Sequence, residues 1–173
     1  QALKELDGGA ATVGTEKEPG FARGGGFVAA PTASAAGDIN PALSAPGRYE
    51  TVLAQDQLDA WVAKLHAAGE FAFDTETDAL DAMRANLVGI SLCVEPGEAC
   101  YIPLGHDYPG APAQLPREVV LDVLRPLLAD PARRKVGQHG KYDLHVLRRH
   151  DVEVEGYADD TLLESFVLNA GIA

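Results

Sequence analysis

The run Ala85–Leu104, "ANLVGISLCVEPGEACYIPL", constrains the fold most: two apolar stretches rich in Val, Ile, Leu and Tyr meet at a Pro-Gly pair. That is the pattern of two strands joined by a tight turn. A third apolar stretch, "FAFDTE" (Phe71–Glu76), stands just before them and reads as a buried strand, so the early part of the domain is a strand meander. After it come "PREVVLDVLRPLLAD", a helix opened by Pro116, then "RKVGQ", a short strand, "KYDLHVLRRH", a helix, "VEVEGYA", a strand-like segment, and "DTLLESFVLNAG", a last helix. Pro126 is expected to bend or divide the first of these helices, because proline lacks the N–H that the helix needs. A meander followed by alternation of helix and strand indicates an α/β domain with a mixed sheet.

Upstream, Leu58, Trp61, Val62 and Leu65 recur at helical spacing, with Asp56 as the expected N-cap and Gly69 just past the end. Residues 1–46 show no such period. Gly, Ala and Pro dominate there, and the apolar side chains are too few to offset an ordering cost of about 1–2 kcal/mol per residue. They are expected to form a flexible linker, with the folded domain occupying 47–173 and something preceding the linker. "GGG" at 24–26 follows no strand and opens no helix, so a phosphate-cradling loop is not expected.

The 173 residues carry a formal net charge of −12, which disfavours broad electrostatic capture of duplex nucleic acid. It leaves open nucleic acid held through metal ions. No run is long and apolar enough for a membrane helix and no signal peptide opens the chain, so no membrane partner is expected and a cytoplasmic location is. Cys93 and Cys100 flank the Pro-Gly turn and could face one another; reduced thiols are the expectation.

Side chains alternate along a strand, so Asp74 and Glu76 point to one face while Phe71, Phe73 and Thr75 point to the other. Two ionised carboxylates about 4 Å apart repel by roughly 4 kcal/mol at an effective dielectric of 20. A proton, a basic neighbour or a metal could relieve this, and oxygen ligands suit Mg2+ or Mn2+. Asp143 falls in the first turn of its helix, where the macrodipole also favours an acid, and Asp160 is placed to cap the last helix. Histidines 66, 106, 145 and 150 have no metal-ligand spacing.

Three blocks in order, "FAFDTETDALDAMRANLVGISLCVEPGEACYIPLGHDY", "KVGQHGKYDLHVL" and "ADDTLLESFVLNAG", resemble the 3′–5′ proofreading exonuclease domain of bacterial family A DNA polymerases from about Tyr49 onward. The resemblance implies an RNase H-like fold: a mixed five-stranded sheet flanked by helices, cut short at its C-terminal side. It implies a site in which Asp74, Glu76 and Asp143 are catalytic and hold two divalent ions, Mg2+ or else Mn2+ or Zn2+. Thr75, Thr77, Leu80, His139 and Tyr142 match positions near the substrate, and Asp160 a supporting position. The implied reaction is hydrolysis of the 3′-terminal phosphodiester of single-stranded DNA. The implied partners are the polymerase and 5′-nuclease domains of the same polypeptide. A third motif, with a Tyr and a fourth acid, would lie beyond Ala173. An isolated fragment is therefore expected to cleave weakly or not at all. His139 stands where the family usually has Asn, and Gly140 where it has a larger apolar residue. An RNase D-type RNA exonuclease and a catalytically inactive scaffold domain are the alternatives.

Overall fold

The computed structural model describes residues 47–170; the expected linker at 1–46 lies outside the described residues. Ten elements follow one another: β1 Arg48–Thr51, α1 Gln55–Ala67, β2 Glu70–Thr77, β3 Leu87–Glu95, β4 Glu98–Pro103, α2 Arg117–Leu128, β5 Arg134–Gly137, α3 Lys141–Arg148, β6 Tyr157–Asp160 and α4 Thr161–Asn169. No helix among the described residues is long and apolar enough to cross a membrane.

The strands form one mixed sheet in the order β1-β4-β3-β2-β5-β6. β2, β3 and β4 make the antiparallel meander, with Asp74 opposite Ser91 and Ser91 opposite Tyr101. β5 joins β2 in parallel, β6 joins β5 in parallel, and β1 joins β4 in parallel. The sheet thus has six strands where five were expected. The sixth is β1, whose sequence "RYET" has a charged or polar residue at three of four positions and which lies at an edge, where a strand needs no apolar face to be held by main-chain bonds.

One sheet face is buried. Phe71, Phe73, Ile90, Leu92, Cys100 and Ile102 meet Leu58, Trp61 and Leu65 of α1 and Leu121 and Leu124 of α2 in a single apolar cluster. Each fully buried Leu, Ile or Phe contributes about 1.5–3 kcal/mol by leaving water. The strand alternation places Asp74 and Glu76 on the opposite face, where both are exposed.

Several local expectations shift. Asp56 lies in the first turn of α1 and Ala54 is its N-cap; the capping acceptor is Gln57, whose side-chain oxygen takes the N–H groups of Leu53 and Ala54 at 2.9 and 3.0 Å. Pro126 does not divide α2: it sits in the last turn, so the bond its missing N–H forfeits falls where the helix is already ending. The strand-like "VEVEGYA" pairs only from Tyr157 onward. Cys93 and Cys100 do not face one another: Cys93 pairs with Ala99 and Leu92 with Cys100, which puts the two sulfurs on opposite faces, and both are free.

Candidate active site

Asp143 reaches β2 through Thr75, whose side chain lies on the face opposite to Asp74 and Glu76. The Thr75 backbone N–H donates to Asp143 Oδ1 at 3.0 Å and its hydroxyl donates to the same oxygen. Asp143 is 4% exposed, although it belongs to the first turn of a short helix, so the usual solvated N-terminal carboxylate does not describe it. The helix turns the carboxylate inward onto β2, and a bond spanning 68 residues fixes α3 to the sheet. Burial pushes the Asp143 carboxyl above the ordinary carboxylate range; the two bonds from Thr75 pull it back, and the Asp74 charge adds to the rise. Burial likewise raises Asp74. No Lys or Arg pairs with Asp74, Glu76 or Asp143 in any salt bridge among the described residues.

Glu76 stands two residues on, opposite Gly89. The ring of Tyr101 lies where a side chain at Gly89 would be, and its phenol is raised by burial and by the Glu76 charge. The Tyr101 hydroxyl is 2.5 Å from His106 Nε2. This Tyr101–His106 pair beside Glu76 was not foreseen; the signal that could have revealed it is a glycine at 89 lying diagonal to the bulky Tyr101 across the hairpin.

A cavity of about 540 Å3 opens beside Glu76, lined by Thr75, Thr77, Asp78, Ala79, Leu80, His139 and Tyr142. All five residues matched to substrate positions, Thr75, Thr77, Leu80, His139 and Tyr142, therefore border one space. Leu80 is 99% exposed, so the described residues leave its apolar side chain open. Tyr142 is committed: its hydroxyl lies 2.5 Å from Thr77 Oγ1 and also donates to the Ala79 carbonyl, tying α3 to the end of β2. Asp78 holds the following loop by accepting from the Asn86 backbone and side chain, both at 2.7 Å.

The residues present fit a divalent cation in their chemistry. Asp74 and Asp143, whose carboxyls burial raises and which form no salt bridge among the described residues, are stabilised by added positive charge. The fit is incomplete in number: among the described residues no three His, Cys, Asp or Glu side chains are grouped closely enough to hold one ion.

Residues 49–170 match the family model for the 3′–5′ exonuclease of DNA polymerase A. The chain belongs to this exonuclease family. Among its relatives, DNA polymerase I of Pseudomonas aeruginosa is 48% identical over 136 residues, 78% of this chain and 15% of that protein. DNA polymerase I of Rhizobium leguminosarum is 41% identical over 140 residues, 71% of this chain and 14% of that protein. The chain thus spans about one-seventh of the length of these relatives. In fold it is similar to Trypanosoma brucei RNase D, with a TM-score of 0.53 at 20% identity over 64% of this chain and 37% of that one. It is similar too to Escherichia coli RNase D, with a TM-score of 0.51 at 21% identity over 69% and 29%. The POL domain of Pol1 from M. smegmatis, in complex with DNA primer-template and dNTP, scores 0.53 at 20% identity over 70% and 19%. The fold is the RNase H-like fold of these exonucleases, and the RNase D likenesses are structural only.

Proposed function

We propose that this chain is the 3′–5′ exonuclease domain of a DNA polymerase I-type polypeptide and hydrolyses the terminal phosphodiester at a single-stranded DNA 3′ end. The observation that carries the reading is the Asp74–Thr75–Asp143 arrangement: Asp143, buried, is held by Thr75 next to Asp74, whose charge raises it, and no salt bridge among the described residues pairs either carboxylate with Lys or Arg. Membership of the exonuclease family and identity of 48% to a DNA polymerase I support it.

Asp74, Glu76 and Asp143 are the residues that would hold Mg2+, with Mn2+ or Zn2+ as the other candidates. When bound, two such ions supply an acidified water and charge neutralisation at the phosphate. Three carboxylates and one phosphodiester carry four negative charges against the four positive charges of two divalent ions, so metal and substrate reinforce each other's binding. Thr75 orients Asp143. Leu80, exposed, offers an apolar surface for the terminal base, and Thr77, His139 and Tyr142 complete the wall around it. A pocket with no base-edge code favours ends that unpair cheaply, such as mismatches. The acidic surface needs no grip on duplex DNA of its own when the polymerase and 5′-nuclease domains share the polypeptide.

The test is Mg2+-dependent degradation of matched single-stranded DNA and RNA by this chain and by a version extended through the family's third motif, each beside Asp74→Ala/Glu76→Ala. The extended protein is expected to shorten DNA from its 3′ end, with the double substitution lowering the rate at least a hundredfold, as loss of major charge stabilisation does. Undiminished cleavage by the double variant overturns the assignment, and faster cleavage of RNA than DNA transfers it to an RNase D-type activity.

A further inference from the structure

The turn between β5 and α3 is held in an unusual shape. His139 adopts φ 59°, the left-handed region that a non-glycine residue enters at a cost of about 1–3 kcal/mol, and Gly140 returns to φ −58°. This sequence of conformations aims two successive N–H groups at one point, which is the geometry of an anion nest. The anion is the protein's own Asp160: Oδ1 accepts from His139 N and Oδ2 from Gly140 N, each at 3.0 Å. The Tyr157 hydroxyl donates to Oδ2 at 3.1 Å, and Leu162 N and Leu163 N donate to Oδ1 at 3.1 and 3.4 Å. Five donors therefore meet on one carboxylate, and although burial opposes it, the bonds from His139 and Gly140 help to hold the group down at about 2.

Tyr157 adds a steric lock. Its ring and hydroxyl occupy the space that a side chain at Gly140 would fill, and its ring meets Phe73 of β2 edge-on at 6.1 Å. The glycine at 140, where the family usually has a larger apolar residue, thus has a counterpart in Tyr157. Neither Tyr157 nor Asp160 lines the cavity beside Glu76, but His139 does, and Asp143 follows Gly140 by three residues on the helix that the turn begins.

We propose that Asp160 and Tyr157 are positioning residues of the nuclease site, locking the left-handed His139–Gly140 turn and so fixing where His139 and Asp143 meet β2. The inference rests on the exonuclease reading above. It assigns Asp160 more than the capping of α4, because a cap alone accepts from Leu162 and Leu163 and has no hold on residues 139 and 140.

Two variants attack the lock from opposite sides. Asp160→Asn replaces one acceptor oxygen with an amide that meets a donor, and Gly140→Ala pushes a methyl into the Tyr157 ring while leaving Asp160 intact. In the version extended through the third motif, each is expected to lower kcat on a single-stranded DNA 3′ end by about 10- to 100-fold, the scale of a roughly 1 Å misplacement, with KM changed much less. Backbone amide exchange on this chain itself gives a readout independent of activity. In both variants the amides of His139 and Gly140 lose protection, and so does Thr75, whose N–H donates to Asp143. Wild-type kcat together with wild-type Thr75 exchange in either folded variant overturns the proposal and leaves Asp160 a helix cap. Asp74→Ala run alongside separates the two readings: if it abolishes cleavage while the lock variants cleave normally, only the positioning role falls. If Asp74→Ala cleaves normally, the nuclease assignment falls with it.

Discussion

Replacing Thr75 by Val removes one hydroxyl and keeps the branched shape and the backbone donor, so it isolates the side-chain bond to Asp143. A hydrogen bond to a charged group is worth about 1.5–3 kcal/mol and one to a neutral group about 0.5–1.5. Where Asp143, 4% exposed, is ionised, the substitution should therefore cost about 2 kcal/mol of unfolding free energy. Below the ordinary value of 3.8, with the carboxyl protonated, it should cost about 1 kcal/mol. The sign follows from linkage. Asp143 is raised on folding, so the native state binds its proton more tightly than the unfolded chain does. That contribution is present at low pH and is lost as pH rises through 3.8 toward the raised folded value. Thr75 partly counters the rise; without it the loss deepens. Urea unfolding of both proteins at pH 3 and pH 7 measures the difference, and the penalty should be larger at pH 7 by about 1 kcal/mol. A penalty independent of pH, or none at all, would show that the Thr75 hydroxyl does not serve the Asp143 carboxylate.

Two other perturbations follow from the same coordinates. Lys135 is fully buried, its Nζ donates to the Asp130 carbonyl at 2.6 Å, and burial lowers its pKa below the ordinary 10.5. Because the native state sheds this proton before the unfolded state does, stability should rise with pH between the lowered value and 10.5, and Lys135→Met should flatten that rise in unfolding free energy measured from pH 7 to 10.5. Gly89→Ala should drive the Tyr101 ring off the strand and break its contact with His106, costing about 1–3 kcal/mol in urea unfolding; an unchanged midpoint would mean that the ring has room to move.

Much of the architecture was legible because hydrophobic periodicity encodes it. The strand ending in Asp74–Glu76, the hairpin at Pro96–Gly97 and the Leu58–Trp61–Leu65 stripe all form as their patterns require. β1 was not legible: an exposed polar edge strand is defined by its neighbour's free main-chain groups, which no local pattern reports. The alternation that put Asp74 and Glu76 on one face was readable, but the partner of Thr75 on the other face was not. The bond from Thr75 to Asp143 spans 68 residues and exists only once α3 has docked. The resemblance supplied the group Thr75, Thr77, Leu80, His139 and Tyr142, and the fold gathers all five around one cavity. What it could not supply was the division of labour inside that group, such as the Tyr142 hydroxyl being spent on Thr77 and Ala79.

The two halves of the acidic constellation stand on unequal foundations. Asp74 and Glu76 ride a strand with main-chain partners on its β3 side and, farther back, on its β5 side, so shifting them means breaking the middle of the sheet. Asp143 rides a helix moored to that strand by Thr75 and Tyr142. A displacement of Asp143 relative to Asp74 and Glu76 therefore strains the moorings of the helix before it strains the sheet.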